Sequence, residues 1–263
     1  MKQWDLNEEW ESLLKKEKKT EIRRINKKEA DLFKRFKDAV PKNISGKLES
    51  AFEGGFELVF GKGVSVIEHT YDRKKFDRKY RVNSCIYEIE NSRENFHQFT
   101  RQARKRSNIN RLISGVEGIG FGVLGIGIPD IPVFIGVLLK NIYEIAMSFG
   151  FSYEDNREKL FILNIIRTAL CSPSDFKRCN DELNSAIDND GLKDCNDDEL
   201  KAQIRETALV LSEELLYLKF IQGIPVAGVL GGISDFKCVN SVTEYALLKY
   251  RRRFLNQRMA GNR

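Results

Sequence analysis

"GIGFGVLGIGIPDIPVFIGVLLKNIYEIAMSFG", residues 118–150, decides how this chain folds. Between Gly118 and Leu139 the only charged residue is Asp130, and 22 such residues in one helix would reach across a bilayer. The run is broken near its middle by Pro129-Asp130-Ile131-Pro132. Proline removes a backbone donor and pushes the residue before it out of helical space. Each remaining arm of roughly ten residues is too short to cross alone at about 1.5 Å per residue. Gly115, Gly118, Gly120, Gly122, Gly125 and Gly127 crowd the entry, and each costs roughly 1 kcal/mol against alanine in a helix. Gly118 and Gly122 stand four apart, the spacing used where helix backbones approach closely. The segment therefore predicts a helical hairpin bent at Pro129 and Pro132. A second joint, "IQGIPVAGVLGGISD", repeats the theme with Gly228 and Gly232 four apart, and the two segments are expected to pack on each other.

Working outward, three- and four-residue apolar steps recur and sustained strand alternation is missing, so the expected class is all-α. Residues 2–38 read as a charged N-terminal helical arm, with Leu6, Trp10, Leu13 and Leu14 on one face and Leu32, Phe33 and Phe36 resuming the stripe. Residues 39–263 form the main helical domain. Its first helix is expected to be interrupted near Gly54-Gly55, and a basic helix should cover 73–107. Ser152 is placed to cap the helix after the hairpin. Residues 171–199 carry nine acids against three bases and read as a solvated acidic loop insertion. The "DNDG" within it is no calcium loop, because Gly191 would place Ala186 where an aspartate is required. Asp197 or Asp198 can cap the next helix, where Leu200, Ile204, Ala208, Leu211, Leu215 and Leu218 form a stripe. In the last helix Phe236, Val239, Val242, Ala246, Tyr250 and Phe254 form another, beside Lys249, Arg251, Arg252, Arg253 and Arg258.

The two glycine-rich runs carry a resemblance. "GFGVLGIGIPDIPVFIGVLLKNIYEIAMSFGF" and "IPVAGVLGGISDFKCVNSVTEYALLKYRRRFL" resemble the EcsC protein family of bacteria over roughly residues 35–257. The helix closing on Phe149-Gly150 matches an aromatic-glycine pair there, whereas Ser234-Asp235 departs from an asparagine common in relatives. The resemblance implies a soluble or membrane-peripheral helical protein, with the N-terminal arm and the acidic insertion outside the shared core. It also implies a tie to an ABC transporter, since the family takes its name from a gene beside an exporter's subunits. It assigns no catalytic residue.

Chemistry can be bounded from the residues themselves. The net charge of +6 favours anionic surfaces but is mild for a nucleic-acid binder, so nucleic acid is not the expected partner. The aromatics that interleave with bases, Phe76, Tyr80, Phe96 and Phe99, sit at helical spacing and read as core. The opening residues have no apolar stretch of signal-peptide type, and the five cysteines show no C-x-x-C pair. A cytoplasmic protein with reduced thiols is expected. Two histidines, without H-E-x-x-H or metal-ligand spacing, indicate no metal, and the lack of phosphate-loop or dinucleotide context indicates no cofactor.

Three carboxylates, Glu117, Asp130 and Asp235, stand in glycine-rich apolar surroundings. They are either helix-start acceptors or a converging acid–base set. The non-enzymatic reading is preferred: a protein peripheral to the inner membrane face, or associated with a transporter. Its expected anion contacts are Lys15, Lys16, Lys18, Lys19, Arg251, Arg252 and Arg253, since residues 15–28 hold eight bases and two acids.

Overall fold

The computed structural model describes residues 5–25, 27–39, 42–63, 72–106, 130–189, 192, 194–221 and 233–261. Among these residues there are helices and no strand, so the chain is all-α. In order the helices are α1 (Leu6–Arg24), α2 (Lys27–Ala39), α3 (Lys42–Leu58, continued by a wider turn at Val59–Gly63), α4 (Arg73–Ile89) and α5 (Arg93–Arg106). They are followed by α6 (Asp130–Ser148), α7 (Asn156–Leu170), α8 (Phe176–Asp188), α9 (Asp197–Ile221) and α10 (Ile233–Gly261).

Helix α6 is the axis. It begins within the Pro-Asp-Ile-Pro corner, with Pro132 in its first turn, where the missing N–H is one that lacks a helical partner anyway. It packs against α3, α4, α5 and α10. Of residues 131–148, the one stretch among the described residues long and apolar enough to cross a membrane, 72% are buried against protein. The expected contact between the two glycine-led segments is seen in the packing of α10 along α6. The hairpin's first arm, with Gly118, Gly122 and Pro129, lies outside the described residues, as do Gly228 and Gly232.

The far end of α6 explains the Phe149-Gly150 pair. Gly150 takes φ +83°, while Phe151 N–H donates to Ala146 C=O and Gly150 N–H to Met147 C=O. This is a Schellman closure, and it needs a left-handed residue. A Cβ at Gly150 would also run into the ring of Tyr80.

Several local expectations are corrected. The N-terminal arm is two helices, joined around residue 25, and both pack on the body: α1 on α10 and α8, α2 on α9. Helix α3 passes through Gly54-Gly55 without a break. Gly55 instead lets α3 approach α6, since a Cβ there would lie 2.6 Å from Ile135 Cδ1. The basic stretch at 73–107 is split into α4 and α5, and Ser92 accepts the Asn95 N–H at the second start. Asp155, not Ser152, caps α7 by accepting the Glu158 N–H at 2.7 Å. The acidic insertion is largely helical, because Phe176, Cys179, Leu183 and Ile187 recur at three and four residues and are buried. Asn196, rather than Asp197 or Asp198, caps α9. Its side chain accepts from Glu199 N–H, while Glu199 accepts from Asn196 N–H, a reciprocal capping box.

Candidate functional site

The inward stripe of α1 reads Leu6, Glu9, Leu13, Glu17, so every second member is an acid buried against the body. Those acids meet the bases of α10. Arg251 Nη2 donates to Glu9 Oε2 at 2.5 Å, while Arg93 Nε and His97 Nε2 lie 3.0 Å from Oε1. Lys249, which is 0% exposed, donates to Glu17 Oε1 at 2.7 Å and to Asn184 Oδ1 at 2.6 Å. Arg252 donates to Glu17 at 2.5 Å and grips Asp188 through Nε and Nη2. Arg253 donates to Glu158, which also accepts from the Tyr250 hydroxyl, each at 2.6 Å. Charges removed from water survive only when paired and hydrogen-bonded in this way.

The titration of these groups follows from their surroundings. Burial pushes the Glu9 carboxyl up, but His97, Arg251 and Arg93 together outweigh it and hold the group below its usual range. Burial dominates at Glu158 and raises its carboxyl despite Arg253 and Tyr250. Burial likewise lowers the Lys249 ammonium against the pull of Glu17.

Arg251, Arg252 and Arg253, expected as contacts to an external anion, are therefore turned onto the chain's own acids. Lys15, Lys16, Lys18 and Lys19 are exposed. Lys18 pairs with Glu21 at 3.2 Å. Lys15, Lys16 and Lys19 border a shallow groove with Asn7, Glu8, Glu11 and Ser12.

Lys16 and Lys19 also enter a larger cleft of about 870 Å³ between α1 and α10. Its bases are Lys16, Lys19, Arg23, Arg24 and Arg104, and among the described lining residues its single acid is Glu244. Glu244 is met by Arg23 at 3.7 Å. Arg24 donates to the Cys171 carbonyl at 2.9 Å and lies over the Phe176 ring. Burial lowers the Lys16 ammonium, and the neighbouring charges of Arg251 and Arg104 lower it further. Glu9 pulls the other way but only in part, so the ammonium stays below its ordinary value. Apolar side chains share the lining: Ile22, 60% exposed, on α1, and Leu247 and Leu248 on α10. Such a place attracts an anion.

Sequence reasoning found Lys16 and Lys19 but missed Arg24 and Arg104 as partners. The 16, 19/20, 23 spacing on α1 signals a shared face, whereas nothing local ties it to residue 104 on α5. Glu117 lies outside the described residues, and so do the side chains of Asp130 and Asp235, which stand in the first turns of α6 and α10. Among the described residues no group of three or more His, Cys, Asp or Glu is placed to hold a metal.

The family model of the EcsC protein family matches residues 2–255. The chain belongs to the EcsC family. The match takes in the N-terminal arm and the acidic helix α8, so both belong to the family's shared region rather than lying outside it. Among EcsC-like relatives, "Uncharacterized protein YdbA" of Bacillus subtilis (strain 168) is 25% identical over 160 residues, 59% of this chain and 56% of that protein. "Protein EcsC" of the same organism is 23% identical over 178 residues, 66% of this chain and 72% of that protein. No solved structure matches.

Proposed function

We propose that this EcsC-family protein is a non-enzymatic, membrane-peripheral protein that docks on anionic lipid surfaces from the cytoplasmic side. The observation that supports this reading is the basic cleft beside α1, where Lys16 and Lys19 stand exposed next to Arg104 with a single acid on the described lining. The exposed lysines at 15, 16, 18 and 19 extend the same positive face along the helix. Each base held near an anionic surface contributes roughly 1 kcal/mol, screened by salt. Four such bases suffice for reversible attachment. A transporter subunit is the weaker form of the expectation, because the features above answer to charge and to no particular protein surface.

Sedimentation with vesicles tests the reading. The protein should pellet with phosphatidylglycerol-containing vesicles at low salt, stay in solution with phosphatidylcholine alone, and be released as salt rises. Retention in solution with both vesicle types at low salt would end the proposal.

A further inference from the structure

The cleft has a composition that a flat basic patch lacks. Helix α10 lines it through Asn240, Ser241, Thr243, Leu247 and Leu248, and α1 lines it through Lys16, Lys19 and Thr20. The half-buried Leu247 and Leu248 and the exposed Ile22 put apolar surface beside the ammonium groups. An inorganic anion would use the bases and leave the apolar wall wet. A nucleic acid would ask for aromatic faces, but Phe176 is covered by Arg24 and packs on the Tyr245 ring. At about 870 Å³ the space is of the size that holds a whole small molecule rather than a lone ion.

Resting on the membrane-docking reading, we propose that the α1–α10 cleft binds one anionic phospholipid, its phosphate between Lys16, Lys19 and Arg104 and its first acyl carbons against Leu247, Leu248 and Ile22. Charge complementarity selects the occupant: the described lining is basic around the space, and its one acid is engaged by Arg23 at the mouth. Beyond its burial, Lys16 is repelled by Arg251 and Arg104, and an incoming phosphate would offset that repulsion. Hydroxyl and amide groups of Ser241, Thr20 and Asn240 line the same space and are of the type that hydrogen-bonds glycerol or headgroup hydroxyls.

The test uses the full chain with dihexanoyl-phosphatidylglycerol below its micelle concentration, with glycerol 3-phosphate as the soluble comparison. Calorimetry should give saturable 1:1 binding of the short-chain lipid, and at least tenfold weaker binding of glycerol 3-phosphate. The Lys16→Gln and Arg104→Gln double variant should lose tenfold or more in lipid affinity while keeping its circular dichroism spectrum. Lys201→Gln, an exposed lysine on α9, should stay within twofold of the parent. If the parent pellets with anionic vesicles yet binds no short-chain lipid, or if Lys201→Gln weakens it as much as the cleft variant, the single-lipid site is wrong and the surface reading stands. Equal affinity for glycerol 3-phosphate removes the apolar wall from the site and overturns the lipid assignment. Absence of vesicle pelleting removes both.

Discussion

Glu9 on α1 holds Arg251 on α10 at 2.5 Å across 242 residues of sequence, and both side chains are buried. Removing one partner of such a pair leaves a charge with neither water nor a counter-ion. Glu9→Gln should therefore destabilise the fold by about 3–5 kcal/mol in urea unfolding. The double change Glu9→Leu with Arg251→Leu should be milder than either single change. A double variant worse than both singles would show that the pair is not what ties α1 to α10.

The same carboxylate sets the response to acid. Its folded value lies below the ordinary glutamate value of about 4.3, so its stabilisation is complete above that pH and is lost as pH falls through the folded value. Glu158, with Tyr250, Arg253 and Asp155 around it, has the opposite sign. Its value is raised, so its penalty is present above the folded value and relaxes as pH falls toward about 4.3. Stability against pH should thus fall less steeply below about pH 4 in Glu9→Gln. In Glu158→Gln the gain on approach to about pH 4.3 should vanish. Parallel curves for parent and Glu9→Gln would refute the assignment.

Gly150 is irreplaceable for two separable reasons. Its φ of +83° costs an alanine about 1–2 kcal/mol, and the added Cβ meets the Tyr80 ring. Gly150→Ala should lower stability by about 2 kcal/mol or more. In a Tyr80→Ala background the steric part should disappear and only the backbone part remain. Thermal unfolding of the four proteins separates the two.

Much of this architecture is legible in the residues because helical packing leaves a local trace. The stripe from Leu200 to Leu218 and the one from Val239 to Phe254 are both buried as spaced. Helix α8 is hidden in the sequence because its four buried apolar residues are outnumbered by the charges on its wet face. Cap positions slipped by one to three residues because several acids and amides stand in a row, and only the backbone decides which one accepts. The charged network has the opposite exposure from the one its local sequence suggests. Lys249, Arg251 and Arg252 look like a surface cluster until α1 supplies Glu9 and Glu17 from the other end of the chain. Pairing over that separation has no periodicity to betray it. The cleft is legible by half, since its α1 face is written in one helix and its remaining walls come from α5, α7, α8 and α10.

The contact of Gly55 with Ile135 yields a prediction whose sign depends on its neighbour. Within α3 an alanine is worth about 1 kcal/mol more than glycine, so by propensity alone Gly55→Ala stabilises. In the fold its Cβ would lie 2.6 Å from Ile135 Cδ1 and 3.1 Å from Ile131 Cγ2, and overpacking of this kind costs about 1–3 kcal/mol. Ile135→Val removes the closer methyl and alone should cost about 0.5–1.5 kcal/mol. Placed together, the alanine occupies the space the methyl left, and its helical advantage is expressed. The double variant should therefore be more stable than the sum of the two single changes by about 1 kcal/mol or more, a coupling expected for residues in contact. Additive effects in chemical denaturation would mean that α3 and α6 do not approach at Gly55, and the packing of the central helix would need to be redrawn.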